Sequence, residues 1–439
     1  MKTLNHSNNA TAGQKSAPRY VAAVFLMMLL LLLISCKKKP EVSVSEESVS
    51  STMAMIKPSE ESVHDQLIII NNDEPETAKV IKKAEEPVTV QAVADVLPDT
   101  INIPYEGPSA PAQASPGTTE KKTMQLEKSA ETGMYTYEMM KEDLKYLSKS
   151  FPQLVSLSSL TLTFDSRELY CLRIGNEDAP HKVLLSAAIH AREYLTTELL
   201  MKQAVSYIDS IIWGQDYNGR SCQQLSSECC VYIIPMVNPD GVTVSQLGPE
   251  ALITDRAKEA VKNIAATENP GGSRTYFNTW KSNAEGIDLN RQFDALWDQY
   301  NDHVGRPSAD HYKGTAPGAT AEAGALIKFT EQMKFDRTVS YHTAGNVIYW
   351  YFGQEGKLYD DTKAFAQKIS SMTGYPLDAN YQNLDPAGYK DWAIIKMGIP
   401  SLTIEVGSGA SPLPHSQLDT IYERNKHVIE ETCISCTGN

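Results

Sequence analysis

His190 and Glu193, in Ala188-Ile189-His190-Ala191-Arg192-Glu193-Tyr194, stand with two residues between them at the end of an apolar run, Val183 to Ile189. A strand end followed by the first turn of a helix can aim the imidazole and the carboxylate of such a pair at one point. That supplies two of the three protein ligands a catalytic zinc needs and leaves a fourth position for water. Two residues at a fixed spacing recur by chance, so the pair gains meaning from residues further along the chain. Ser340-Tyr341-His342 ends a second apolar run, Leu402-Thr403-Ile404-Glu405 ends a third in a carboxylate, and Ile287-Asp288-Leu289-Asn290-Arg291 ends in an amide and a guanidinium. Metal ligands, a further carboxylate and a cation are the parts of a metal-assisted peptide hydrolase.

The elements that must position these groups follow from periodicity. Tyr135 to Phe151 carries Met139, Met140, Leu144 and Leu147 near helical spacing and stops at Pro152, which predicts an amphipathic helix. Strands are predicted at Leu160 to Phe164, Tyr170 to Ile174, Val183 to Ile189, Val231 to Met236, Val339 to His342 and Leu402 to Val406. Helical patterns at Thr196 to Ile212, Ala319 to Met333 and Asp361 to Thr373 lie between them. Strands alternating with helices imply an α/β fold with a mixed, largely parallel central sheet covered by helices on both faces. Ligands collect beyond the carboxyl ends of the strands of such sheets, and His190, His342 and Glu405 each close an apolar run. No internal repeat is evident.

Taken in order, His-x-x-Glu, Asn-Pro-Asp-Gly at 238 to 241, Asp-Leu-Asn-Arg at 288 to 291, Ser-x-His and Thr-Ile-Glu resemble the zinc carboxypeptidases of the carboxypeptidase A type, from about Tyr135 to about Val428. Within that family, the wordings His-Ala-Arg-Glu-Tyr, Tyr-His-Thr-Ala-Gly-Asn-Val-Ile-Tyr-Trp and Gly-Tyr-Lys-Asp-Trp resemble the bacterial branch that cleaves peptidoglycan stem peptides at γ-D-glutamyl-meso-diaminopimelate bonds. The resemblance implies a zinc carboxypeptidase-like fold with one zinc held by His190, Glu193 and His342. Glu405 would be the general base acting on water, and Asn290 with Arg291 would clamp a substrate carboxylate, a task that suits a bidentate guanidinium. Lys281, in Trp280-Lys281-Ser282-Asn283, stands where the family usually carries an arginine that stabilises the oxyanion, and it offers a positive donor without the fork. The family's mobile tyrosine corresponds to Tyr381 or Tyr389, with Tyr381 preferred. Lys390, directly before Asp391-Trp392, takes the place at the bottom of the S1′ pocket, where a lysine should select a side chain ending in a carboxylate, as diaminopimelate and glutamate do. Arg192 and Asp240 read as structural or as supports for the ligands, and Trp280, Tyr349, Trp350 and Trp392 as core or pocket wall. A general or glutamate-preferring metallocarboxypeptidase is the alternative activity. A surface binding protein that has lost catalysis is disfavoured, because all three ligands and the base are present.

The formal net charge of −14 over 439 residues excludes nucleic acid as the natural partner, since phosphates demand basic patches. Lys15, Arg19 and the apolar run from Val21 to Ile34 form a signal peptide over residues 1–35, too short and asymmetric for a membrane span. Leu33-Ile34-Ser35-Cys36 resembles a bacterial lipobox, which makes Cys36 the lipidated first residue of a chain that sits on a membrane. Residues 36–130 carry many Glu, Ser and Pro and almost no aromatic residue, so a disordered, lipid-anchored linker is expected. The catalytic domain should span 131–432, with 433–439 as a tail. Lys37 in place of an aspartate points to the outer membrane where the host has one. The remaining cysteines, Cys171, Cys222, Cys229, Cys230, Cys433 and Cys436, permit disulfides, with Cys222 near enough to Cys229 or Cys230 for a small loop. The sequence leaves the oligomeric state open. Cys36→Ser should abolish lipidation and release the protein from the membrane fraction, and normal fractionation of that variant would remove the lipoprotein reading.

Overall fold

Thr136 starts the first helix by accepting a hydrogen bond from the Met139 amide, and α1 (Tyr137–Ser150) then buries Tyr137, Met140, Leu144 and Leu147 along one side. The computed structural model describes Leu126 and residues 133–437, apart from Asn380 and Asn383. The predicted signal peptide, Cys36 and nearly all of the linker therefore lie outside the described residues.

β1 (Val155–Leu162) and β2 (Glu168–Ile174) form an antiparallel ladder, followed by β3 (His181–Ala187) and α2 (Leu195–Ile212). A short helix, α3 (Cys222–Glu228), leads into β4 (Cys229–Ile234), and α4 (Pro239–Leu247) and α5 (Asp255–Glu268) come next. The second half carries α6 (Ala321–Met333), β5 (Arg337–His342), β6 (Val347–Tyr349), α7 (Gly356–Thr373) and β7 (Leu377–Asp378). It closes with α8 (Tyr389–Ile395), β8 (Ser401–Glu405), α9 (Leu418–Asn425) and α10 (Val428–Thr437).

These strands make an eight-stranded sheet in the order β1-β2-β4-β3-β5-β8-β6-β7. Its centre, β4-β3-β5-β8, is parallel throughout, while β1, β2 and β6 are antiparallel to a neighbour. Alternation along the strands splits the core into two layers. Val183 and Leu185 of β3 and Val231 and Ile233 of β4 pack with Leu199, Ile208, Phe365 and Ile429 on one face. Leu184, Tyr232 and Ile234 pack with Leu326, Trp392 and Ile394 on the other. A fully buried side chain of this size contributes about 1.5–3 kcal/mol, so the sheet is held from both sides and β4 is buried at every position.

The fold class agrees with expectation, and the differences are local. β1 begins at Val155 rather than Leu160, because Ser156, Ser158 and Ser159 interrupt the apolar signal on this edge strand. β3 stops at Ala187, two residues before the apolar run does. The domain boundary expected at 432 falls inside α10, whose Cys433 is fully buried against the core, so this segment is part of the domain and not a tail. All six described cysteines are free; Cys222 forms no loop with Cys229 or Cys230, and Cys229 Sγ lies 3.8 Å from Cys436 Sγ.

α6 opens with a fully buried Glu322, and neither of its carboxylate oxygens has a hydrogen-bond partner among the described residues. Burial, reinforced by the Asp240 carboxylate, pushes its pKa up to about 8. A carboxyl whose folded pKa is raised costs nothing below its ordinary range and destabilises progressively as pH climbs toward the folded value. Thermal stability should therefore fall from about pH 5 to about pH 9, and Glu322→Gln should flatten that slope in a melting series. An unchanged slope in the variant would exclude Glu322 as its source.

Candidate active site

The chain leaves β3 through Ala188, which is buried and adopts the left-handed conformation at φ 49°. A non-glycine residue held there costs of order 1–3 kcal/mol, so its surroundings must enforce it. Thr196 does so in part, its hydroxyl accepting from the Ala188 amide at 3.0 Å and donating to the Glu193 carbonyl at 2.7 Å. Asn238 Nδ2 donates to the carbonyls of Ile189 at 3.2 Å and Ser282 at 3.1 Å, and the Ala191 amide donates to the Lys281 carbonyl at 3.0 Å. The turn is thereby pinned to two other loops, and His190 caps while Glu193 ends a single 3₁₀ turn, Ala191–Glu193.

His342 ends the adjacent strand and meets them. His190 Nδ1 lies 2.9 Å from Glu193 Oε1, His342 Nδ1 lies 3.0 Å from Glu193 Oε2, and the two Nδ1 atoms are 3.1 Å apart. All three residues are buried. Burial by itself would raise the Glu193 carboxyl, but His190 and His342 hold it well below the usual carboxylate range. The back of the His190 ring faces a carboxylate, with Nε2 3.3 Å from Asp288 Oδ1. A carboxylate in that position fixes the ring with Nδ1 inward and strengthens it as a ligand. Two imidazole nitrogens and a carboxylate converging in a buried, hydrogen-bonded setting form the donor set of a catalytic zinc site, and the residues fit that ion.

Glu405 closes β8 directly beside this group, because the parallel pairing of β8 with β5 sets Glu405 opposite His342. Its Oε2 is shielded and has no partner among the described residues. Burial raises its pKa, the His342 ring works against that, and Glu193 adds to it.

Lys281 is buried with Nζ 2.8 Å from Asp288 Oδ2 and 3.3 Å from Asp310 Oδ1. Burial opposes its charge, but these two carboxylates overcome it and raise the ammonium pKa. Arg192 Nη1 reaches the other oxygen of Asp310 at 3.2 Å and the Thr279 carbonyl at 3.1 Å. Asn290 Oδ1 accepts from the Tyr389 amide at 3.0 Å. Arg291 Nη2 donates to Asp385 Oδ2 at 2.8 Å, and its guanidinium carbon lies 4.7 Å from the centre of the Tyr300 ring. Lys390 Nζ contacts Asp391 Oδ1, donates to the Tyr351 carbonyl at 3.2 Å and lies over the Phe352 ring.

The ligands, Lys281, Asn290, Arg291, Lys390 and Glu405 all line one open cavity of ≈ 440 Å³. Tyr381 does not line it. That side chain is mostly exposed, with its ring centre 4.5 Å from that of Tyr351 and its hydroxyl 3.2 Å from that of Tyr359. Tyr389 is excluded as a mobile residue, being buried with its hydroxyl 3.0 Å from Thr330 Oγ1. Asp240 is likewise remote from the ligands, accepting from Thr163 Oγ1 at 2.7 Å and from the Asp165 amide at 2.8 Å. The acceptor behind His190 is Asp288, whose place in the Asp-Leu-Asn-Arg motif was the available signal. Asp310, Tyr300, Tyr351 and Asp385 come from loops and had no signal of this kind. Trp280, Trp350 and Trp392 are core, and Tyr349 is cavity wall.

The sequence model of the zinc carboxypeptidase family matches residues 140–428. The chain belongs to the zinc carboxypeptidase family. It is 33% identical over 292 residues to gamma-D-glutamyl-L-diamino acid endopeptidase 1 of Lysinibacillus sphaericus, covering 66% of this chain and 69% of that one. It is 24% identical over 235 residues to human mast cell carboxypeptidase A, covering 53% and 50%. Among solved structures, bovine thrombin-activatable fibrinolysis inhibitor superposes with TM-score 0.53 at 18% identity over 68% of this chain and 96% of that one. Carboxypeptidase A of Helicoverpa armigera superposes with TM-score 0.54 at 17% identity over 69% and 74%. Those two likenesses speak to the fold alone. This zinc peptidase should carry one zinc per chain, and His342→Ala should lose the metal while keeping its far-ultraviolet circular dichroism. Stoichiometric zinc in that variant, by elemental analysis, would overturn the ligand set.

Proposed function

We propose that this zinc peptidase hydrolyses the bond between γ-D-glutamate and a diamino acid in peptidoglycan stem peptides. The observation that carries the reading is the pairing of two substrate-side cations, Arg291 and Lys390, with two carboxylates, Asp385 and Asp391, in the cavity that also holds the ligands and Glu405. A wall of that kind suits a residue bearing both signs of charge, and diaminopimelate carries an ammonium and a carboxylate on its distal centre. The name of the Lysinibacillus relative supports the same substrate class. A lipid on Cys36 and the linker behind it would hold the domain at the cell envelope beside its polymer.

Zinc in the His190, Glu193 and His342 site supplies electrophilic polarisation of the scissile carbonyl and acidification of water. Glu405, with its unpartnered Oε2, takes the proton from the attacking water and passes it to the leaving nitrogen. Lys281 presents a fixed positive charge in the same cavity. Asp288 and Asp310 hold its ammonium in place, so it can oppose developing negative charge with little reorganisation. Asn290 and Arg291 orient the substrate on the leaving-group side. The Lys390 ammonium already has Asp391 and the Tyr351 carbonyl as partners, so it selects by sharing these contacts and not as a bare charge.

A metallocarboxypeptidase that prefers C-terminal glutamate is the second reading, favoured by the same two cations. Mass analysis of products separates the two. Incubation with purified muropeptides should yield fragments cut at the γ-D-glutamyl bond, with slower turnover of blocked peptides ending in glutamate. Glu405→Gln should retain zinc and lose about 10²–10⁴-fold in turnover. Release of C-terminal residues from ordinary peptides, with muropeptides left intact, would favour the second reading.

A further inference from the structure

Arg291 is buried, yet its fork is already filled. Nη1 donates to the Asn290 carbonyl at 3.1 Å and the Pro386 carbonyl at 3.4 Å, Nη2 donates to Asp385 Oδ2 at 2.8 Å, and Nε is shielded and has no partner among the described residues. The carboxylate that this guanidinium binds thus comes from the chain itself. Asp385 is the unequal partner of the pair, its side chain 69% exposed against 10% for Arg291, and it lines the cavity. A carboxylate entering from the substrate competes for the same donors.

What such competition selects depends on what the substrate brings with its carboxylate. A residue carrying only a carboxylate must break the pair and then leave Asp385 facing a like charge, with Asp391 on the same cavity wall. A residue carrying an ammonium beside its carboxylate loses nothing of the kind. Its carboxylate takes Arg291, its ammonium takes the released Asp385, and one ion pair becomes two. Neutral or apolar residues gain from neither contact.

We propose that Asp385 is a specificity-determining residue that turns the leaving-group side of the site toward diamino acids and against residues ending in a carboxylate alone. This rests on the substrate class given above and adds the group that distinguishes it from the carboxypeptidase alternative. Arg291 needs its neighbour in order to discriminate, because by itself it would accept any carboxylate.

The test uses the zinc-loaded protein and its Asp385→Asn and Asp385→Glu variants, with kcat and KM measured separately. The substrates are a γ-D-glutamyl-diaminopimelate peptide, the same peptide with its distal amine acetylated, and a blocked dipeptide ending in glutamate, scored as substrate or inhibitor. In Asp385→Asn, KM for the free amine should rise about three- to fivefold, the size expected of an exposed charge pair. With kcat unchanged, the acetylated peptide and the dipeptide, each bringing a carboxylate without an ammonium, should both bind more tightly by a similar factor. Asp385→Glu should restore the wild-type order. Equal changes on all three substrates, or identical KM for free and acetylated amines in the wild type, would overturn the proposal. If the wild type cleaves neither diaminopimelate peptide, the proposed substrate class fails. In that case an unchanged inhibition constant for the dipeptide in Asp385→Asn overturns the competition as well.

Discussion

Two imidazole nitrogens and a carboxylate crowded within hydrogen-bond distance in a buried setting are the constraint on which this structure turns. Bringing three donor atoms this close and burying a carboxylate among them costs free energy that the surroundings must offset. The rest of the neighbourhood exists to hold that arrangement. Ala188 is forced into a conformation that alanine resists, Thr196 and Asn238 tie the turn down from two directions, and Asp288 backs His190.

How much of this could be read from the sequence depended on whether the signal was local. The parallel core strands were legible because residues buried on both faces make continuous apolar runs, and the ligands and Glu405 were legible because they terminate those runs. β6 and β7 were missed, being three and two residues long at the edge of the sheet. α5 was missed although Thr254 caps it, since its apolar face is narrow: only Ala257, Val261 and Ile264 are buried. Within the site, the roles of Asp310, Tyr300 and Asp385 could not be anticipated, because loop residues reach their partners only through tertiary folding.

The cavity shows how charge can be concentrated in a protein interior without being wasted. Lys281 and Arg192 share Asp310, Lys281 also holds Asp288, and Asp288 holds His190. Each cation is neutralised by a carboxylate that has a second duty. Networks of this kind favour one geometry more than they add net stability, because the desolvation of each ion offsets much of the attraction. Rigidity at the reacting end and exposed, exchangeable pairs at the substrate end, as with Asp385, are the two uses the site makes of the same interaction.

The pairing of β5 with β8 places His342 and Glu405 side by side although the chain between them winds through β6, α7, β7 and α8. Apart from Asn290 and Arg291, the side chains assigned to reading the leaving group all lie on that excursion. The reactive pair is fixed by strand register, which tolerates no slip, while the excursion packs Phe365, Ile369, Trp392 and Ile394 into the core and turns Asp385 and Lys390 to the cavity. Substitutions at cavity-facing positions such as 384, 385 and 390 can therefore alter what is recognised without shifting the register that sets the reacting atoms. In evolutionary terms selectivity resides in side chains that can be exchanged one at a time, while the chemistry stays under separate selection.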